Sequence, residues 1–342
     1  MTTSGEMIQA GNFLAESLRK YDNTIRETIY PEYWGFEGRY HQAIGDLPIG
    51  TPSYATIRQD FTGRAVRYGG TATAIPTAKY GLTMSESKAM IGILSAEWTW
   101  DELRREELAQ GNQYLPNVPV VQSYLRALDK GLREWMHYTT LFGSQDNDME
   151  FAGLFTNPFV EVINVLAADN GITGPGQTAN DAYDWMRQET SNFRKANKLT
   201  AEATSVLTSE DVNNAFDKRF SDGSGDGTVG DLLLGATGNG RRTRKLSSIN
   251  IVNEMSGEEI RNPEVGNLTE IGGVPIAADA DIMLMFDANV RNSITKKFAP
   301  IRNLPQFTND GGLTYSVYGM CGVGEVVFDQ PMRARMFVLN KS

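Results

Sequence analysis

Residues 119–143, PVVQSYLRALDKGLREWMHYTTLFG, constrain the chain more than any other stretch. Val121, Leu125, Leu128, Leu132, Trp135, Met136 and Tyr138 recur near the helical period and form one apolar stripe. Pro119 suits a first turn and Gly143 suits a stop, so the pattern predicts a helix over 119–142. At ~1.5 Å per residue this is a rod of roughly 36 Å, long for a globular domain and suited to a scaffolding element. The rest of the chain must supply the surface on which its stripe is buried. A chain of 342 residues can do so, because about three quarters of the unfolded surface is buried at that size. With one thiol, Cys321, it is no disulfide-framed module.

Other classes fall away on similar grounds. No run approaches ~20 apolar residues, so no membrane-crossing helix is expected. The opening MTTSGEMIQAGN has neither a basic region nor an apolar run, and a secretory signal is not expected there. Lys and Arg total 32 against 42 Asp and Glu, a formal charge of −10, which disfavours a dedicated nucleic-acid binder.

Around the predicted rod the chain changes character several times. Residues 5–28 read as an amphipathic helix carrying Phe13 and Leu14, ended by Pro31. The aromatic stretch that follows, with Trp34, reads as a tail that packs on something. Residues 53–80 read as an extended ribbon with few large apolar residues, marginal in water without a partner surface. Arg58, Arg64, Arg67 and Lys79 there oppose only Asp60, a local charge of +3. Residues 95–110 read as a helix capped by Ser95 or Thr99, with Glu102 as capping-box partner. Helices are expected at 181–198 and 209–220, and strands at 206–208, 248–252, 275–286 and through most of 294–339.

Signs of chemistry are sparse. Of two histidines, His137 lies on the predicted rod and reads as structural, and no HxxxH, HExxH or CxxC spacing occurs. The glycine-rich pieces at 235–240 and 319–324 fit neither a P-loop nor a dinucleotide loop and read as surface turns. In DGSGDGTVGDLL, Asp222, Ser224 and Asp226 occupy positions one, three and five of a calcium loop, but position twelve is Leu233 where a bidentate Glu belongs. They are weak metal candidates; a solvated loop is the competing reading. RRTRK at 241–245 either touches phosphate, pairs with an acidic neighbour or is simply solvated. No catalytic constellation and no cofactor site is read.

The order of these pieces resembles tailed-phage major capsid proteins of the Hong Kong 97 fold. SYATIRQDFTGRA, AKYGLTMSES and WTWDELRREELAQGN precede the rod, and the tag FAGLFTNP follows it. Gly153, Leu154, Asn157 and Pro158 match the family's loop after its long helix. Pro300, Pro305, Gly322, Val323 and Pro331 match its C-terminal pattern, with Cys321 in place of a glycine. The likeness covers about residues 12–158 and 275–335.

The resemblance implies an α+β fold with an N-terminal arm (1–50) and an extended β-loop (51–85) lying over a neighbouring subunit. It implies a peripheral domain (86–180) with spine helix 119–142, an axial domain (181–285) and return strands (286–342) in the peripheral domain's long sheet. The implied function is non-enzymatic: pentamers and hexamers of the chain forming an icosahedral or prolate shell around double-stranded DNA, without sequence-specific contacts, cofactor or membrane. Separate scaffolding and portal proteins are implied partners, with decoration or minor capsid proteins as candidates. Assembly is expected in the host cytoplasm and the final location is the virion. Expected contacts between subunits are Arg58, Arg64, Arg67, Lys79, Phe13, Leu14 and Trp34. The alternatives are an encapsulin-like compartment shell and a calcium-binding protein using the 222–233 loop.

Overall fold

The computed structural model describes residues 42–62, 78–110, 119–144, 151–220, 227–235, 246–263, 265–288 and 294–341. The described residues open with β1 (Gln42–Ile44), β2 (Ser53–Thr62) and the long β3 (Lys79–Thr99). Helices α1 (Trp100–Gln110) and α2 (Val120–Phe142) follow, the second being the predicted rod. Next come β4 (Glu161–Val165), α3 (Ala179–Ala196), β5 (Ser205–Thr208), α4 (Glu210–Phe216) and α5 (Val229–Leu234). Then β6 (Ser248–Ile251), α6 (Gly257–Arg261), and the short β7 (Glu270–Ile271) and β8 (Val274–Pro275) lead to β9 (Asp281–Phe286). The last elements are β10 (Ile294–Asn303), β11 (Phe307–Asn309), β12 (Thr314–Phe328) and β13 (Ala334–Leu339). The sheet order β1-β10-β12-β3-β2, with β11 beside β12, accounts for six strands; β4-β13-β9-β5-β6 is a second sheet, and β7 pairs with β8.

The described chain falls into two compact units. The first holds Ile91–Met136 and Pro300–Gly322. Its core forms where the stripe of α2 meets strands: Leu128 and Leu132 are buried, and Gly319 of β12 lies beneath both. Gly92 of β3 lies beneath Trp135 in the same way, so the absence of a side chain lets helix and strand approach. Trp98 stacks between Tyr124 and Tyr315, with ring centroids at 6.0 and 6.4 Å. Thr99 and Glu102 form the expected capping box, Thr99 N donating to Glu102 Oε2 at 2.8 Å. The Thr99 backbone bond, then the Tyr124 hydroxyl, holds the Glu102 carboxyl below its usual range. Glu106 accepts from Val120 N at 3.0 Å, closing the start of α2.

The second unit holds 42–90, 137–299 and 323–341. Its five-stranded sheet is covered on both faces, because β9 is apolar at every position from Ile282 to Phe286 and wholly buried. Ile282, Leu284 and Phe286 join Phe142, Leu154 and Phe155 in one core, while Met283 and Met285 join Met186, Phe193 and Phe337 in another. β13 runs parallel to β4 and antiparallel to β9, and thus joins the two. α3 starts with a full Thr178–Asp181 capping box.

The family-like tag GLFTNP performs a definite task at the end of α2. The last four carbonyls of a helix have no partner within it. Here Thr139 O accepts from Gly143 N, Thr140 O from Leu154 N, Leu141 O from Phe155 N, and Phe142 O from the Thr156 hydroxyl, at 2.8–3.1 Å. Asn157 Nδ2 then donates to Val326 O at 2.9 Å, tying the turn to β12.

Several expectations are corrected. Ser95–Thr99 belongs to β3, so Thr99 rather than Ser95 is the cap. The helix expected over 209–220 ends at Phe216, since the Asp217 and Lys218 amides already close its last turn. Of 275–286, only 281–286 is a long strand, because Ala277–Ala280 make a turn, Ala280 N donating to Ala277 O. Residues 319–324 are not a surface turn but the middle of β12, where glycine answers to close packing by Leu128, Leu132 and Tyr54. The expectations at 5–28, 31–40 and 241–245 lie outside the described residues.

Candidate assembly surface

Within the second unit, β2 and β3 pair antiparallel from Ser53↔Lys88 to Thr62↔Lys79. Side chains alternate across such a ribbon, so residues 53, 55 and 57 share a face with 80, 82, 84, 86 and 88. On that face Ile57 lies opposite Met84. Ile57, Tyr80, Leu82 and Met84 are 62, 60, 56 and 69% exposed, a continuous apolar stripe in water. Scattered exposed apolar residues need no explanation, whereas a contiguous row along one strand face marks a surface to be covered.

The other face is anchored at the base. Ala89 packs with Leu47 and Ala299, with Tyr54 against them, and Ser87 is buried. The Tyr54 hydroxyl donates to Glu325 O at 2.8 Å, and Lys297 Nζ sits 5.5 Å over its ring while pairing with Asp46 at 2.9 Å. Burial, with the nearby carboxylates of Glu325 and Asp46, pushes the Tyr54 phenol up to about 12, against a smaller downward pull from Ser87.

Of the residues expected at subunit contacts, two fall in this ribbon. Arg58 lies in β2 opposite Thr83, and Lys79 is exposed at the start of β3 opposite Thr62. Arg64, Arg67, Phe13, Leu14 and Trp34 lie outside the described residues, as do Asp222, Ser224 and Asp226. Sequence reasoning weighed the ribbon's charge and missed its stripe. The signal was present in the period-two alternation Tyr80, Leu82, Met84.

The described end of the calcium-like segment has another use. Thr228 and Asp231 form the capping box of α5, with Thr228 N donating to Asp231 Oδ2 at 3.0 Å. That backbone bond, then the Thr228 hydroxyl, holds the Asp231 carboxyl below its usual range. Among the described residues no cluster of His, Cys, Asp or Glu is arranged to hold a metal. His137, fully buried, pairs through Nε2 with Glu254 Oε1 at 2.8 Å. An acidic cleft of about 470 Å³ is lined by Asp211, Glu258, Asp279, Asp281 and Lys341. Asp281 is buried, which pushes its carboxyl up, and it accepts from Ser209 at 2.8 Å. Lys341 Nζ lies 3.0 Å from Asp281 Oδ2, poorly aligned for a hydrogen bond yet close enough to pair electrostatically. Burial lowers the Lys341 ammonium, but its hydrogen bond to Asp211 and the adjacent Asp281 carboxylate outweigh this and raise it. The cleft thus carries its own cation and reads as a structural ion cluster.

No protein-family model matches the chain, and no curated protein matches it by sequence. Solved structures do. The capsid of Myoviridae phage XM1 superposes with a TM-score of 0.68 at 13% identity, over 95% of this chain and 97% of that one. A structure of Microbacterium phage Oxtober96 gives 0.54 at 12% identity over 98% and 99%, and the capsid of cyanophage P-SCSP1u gives 0.53 at 11% over 95% and 93%. The fold is therefore the α+β fold of tailed-phage capsid structures, the Hong Kong 97-like architecture that the resemblance implied.

Proposed function

We propose that the chain is a major capsid protein, assembling with copies of itself into pentamers and hexamers that form the shell around the double-stranded DNA of a tailed bacteriophage. The observation that carries this reading is the match with the XM1 capsid structure over 95% of this chain and 97% of that one. The apolar stripe on the ribbon supports it, since a neighbouring copy supplies the cover that the stripe lacks. Burying what remains exposed of these four side chains is worth about 1–2 kcal/mol each before ordering costs. On this reading residues 1–50 are the arm, 51–85 the loop over the neighbour, 86–180 and 286–342 the peripheral domain, and 181–285 the axial domain. The role is structural rather than enzymatic. Scaffolding and portal are separate proteins, assembly takes place in the host cytoplasm, and the product is the virion shell. The charge of −10 suits a container, since a basic wall would hold phosphate tightly.

Electron microscopy of the purified chain, beside size-exclusion chromatography, tests the reading. Closed shells, rings of five or six, or tubes are expected. A monodisperse 37.8 kDa monomer that resists assembly even with its scaffolding partner would overturn it, and shells filled with enzyme cargo rather than DNA would transfer it to a bacterial compartment.

A further inference from the structure

A fork lies where the ribbon leaves the body of the second unit. β12 and β3 are neighbours in the sheet, and their partners advance in opposite directions: Trp100 N donates to Leu313 O, Cys321 Sγ reaches Gly92 O, and Lys88 N reaches Glu325. On the opposite edge of β12, the next residue's amide is taken by another segment, Val326 N donating to Ala152 O at 3.2 Å. From Lys88 back to Lys79, β3 pairs with β2. At Lys88 the β3 amide bonds a β12 side chain, and backbone groups at such a junction are costly if left unmade. Glu325 fills it from both sides. Its Oε2 accepts from Lys88 N at 2.8 Å on the ribbon branch, and its Oε1 accepts from Ala152 N at 3.3 Å on the other. Its own carbonyl takes the Tyr54 hydroxyl, so both ribbon strands are fastened to this one residue.

We infer that Glu325 is a positioning residue for assembly: its bridging carboxylate fixes how the 53–62/79–88 ribbon departs from the sheet, and so where the apolar stripe meets a neighbouring copy. The inference rests on the capsid reading for its purpose, but its structural content is independent of assembly. A carboxylate is required because both partners are donors. An amide offers one acceptor oxygen and presents an N–H group to the other donor. Glu325→Gln therefore keeps the size and loses one arm of the bridge.

The test is amide hydrogen exchange on the unassembled full-length chain, wild type against Glu325→Gln, with assembly of the same samples followed by light scattering. Ribbon amides from Tyr80 to Lys88 are expected to exchange about tenfold faster in the variant, with α3 unchanged, and assembly is expected to slow or yield irregular particles. Unchanged ribbon exchange would overturn the inference. So would acceleration spread equally through α3, which would make Glu325 a general stability residue. Should the amide variant fail to fold, Glu325→Asp withdraws the carboxylate by one methylene while keeping both oxygens and the charge. It is expected to loosen the same ribbon amides, and wild-type-like exchange in it would count against the inference. A wild-type chain that never assembles would sink the capsid reading and leave the exchange result standing.

Discussion

Tyr54 shows how one side chain links the ribbon to the body. Its hydroxyl is a donor to Glu325 O, and its ring supports the Lys297 ammonium. Because its folded-state pKa is raised above the ordinary 10.0 to about 12, the neutral phenol favours the fold. That contribution is fully present below pH ~10 and is lost as pH rises through ~12. Tyr54→Phe loses the bond to Glu325 O and should be less stable than wild type at pH 8, and the gap should narrow between pH 10 and 12 as the buried wild-type phenol ionises. Urea titrations of both proteins across that range check it; a gap that stays constant would mean the phenol carries no linked proton. Residue-level roles such as these were not legible in the sequence. Tyr54 and Glu325 lie far apart in the chain, and nothing local marks either one. Gly319 and Gly324 were misread for a related reason: a glycine signals a turn locally, whereas here the need comes from side chains on distant elements.

At the scale of elements, local patterns were enough. The rod, α1's capping box and the C-terminal strands follow from period and caps, because each is decided by neighbours a few residues away. The end of α2 adds a lesson. Its stop was expected from Gly143, but the four carbonyl partners come from that residue and from the 154–156 turn. Thr156 is central, since its hydroxyl donates to Phe142 O and accepts from Gly153 N at 2.9 Å. Thr156→Val keeps the shape and removes both bonds, and should cost about 1–3 kcal/mol. Chemical denaturation of the unassembled chain checks this. A change under ~0.5 kcal/mol would mean water replaces the hydroxyl at no loss.

At the scale of the whole molecule, the ribbon's stripe separates folding from association. Ile57, Tyr80, Leu82 and Met84 contribute little to the isolated chain, being more than half exposed. The double substitution Leu82→Glu, Met84→Glu should leave the unassembled chain's stability within ~0.5 kcal/mol. It should abolish particles, because two charges would have to be buried at the contact. Circular dichroism melts and electron microscopy of the same preparation check both halves. Particles of normal size would show that the stripe is not the contact. The overall architecture was legible only through the order of several weak motifs, since each alone is too short to define a fold. The stripe's purpose was not, because exposure is a property of the folded surface and the sequence records only alternation.

The place of β13 in its sheet governs the timing of manufacture. Residues 334–339 lie between β4 and β9, yet they are made after both. While the chain is still on the ribosome, β4 has no strand beside it in this sheet and β9 lacks one of its two neighbours. Any polypeptide halted before residue 334 therefore keeps an open strand edge and an unclosed core, a form that proteases and chaperones recognise. Synthesis thereby acquires a built-in inspection: only copies translated past that strand carry a finished body, and the shell proposed above would be spared its incomplete members.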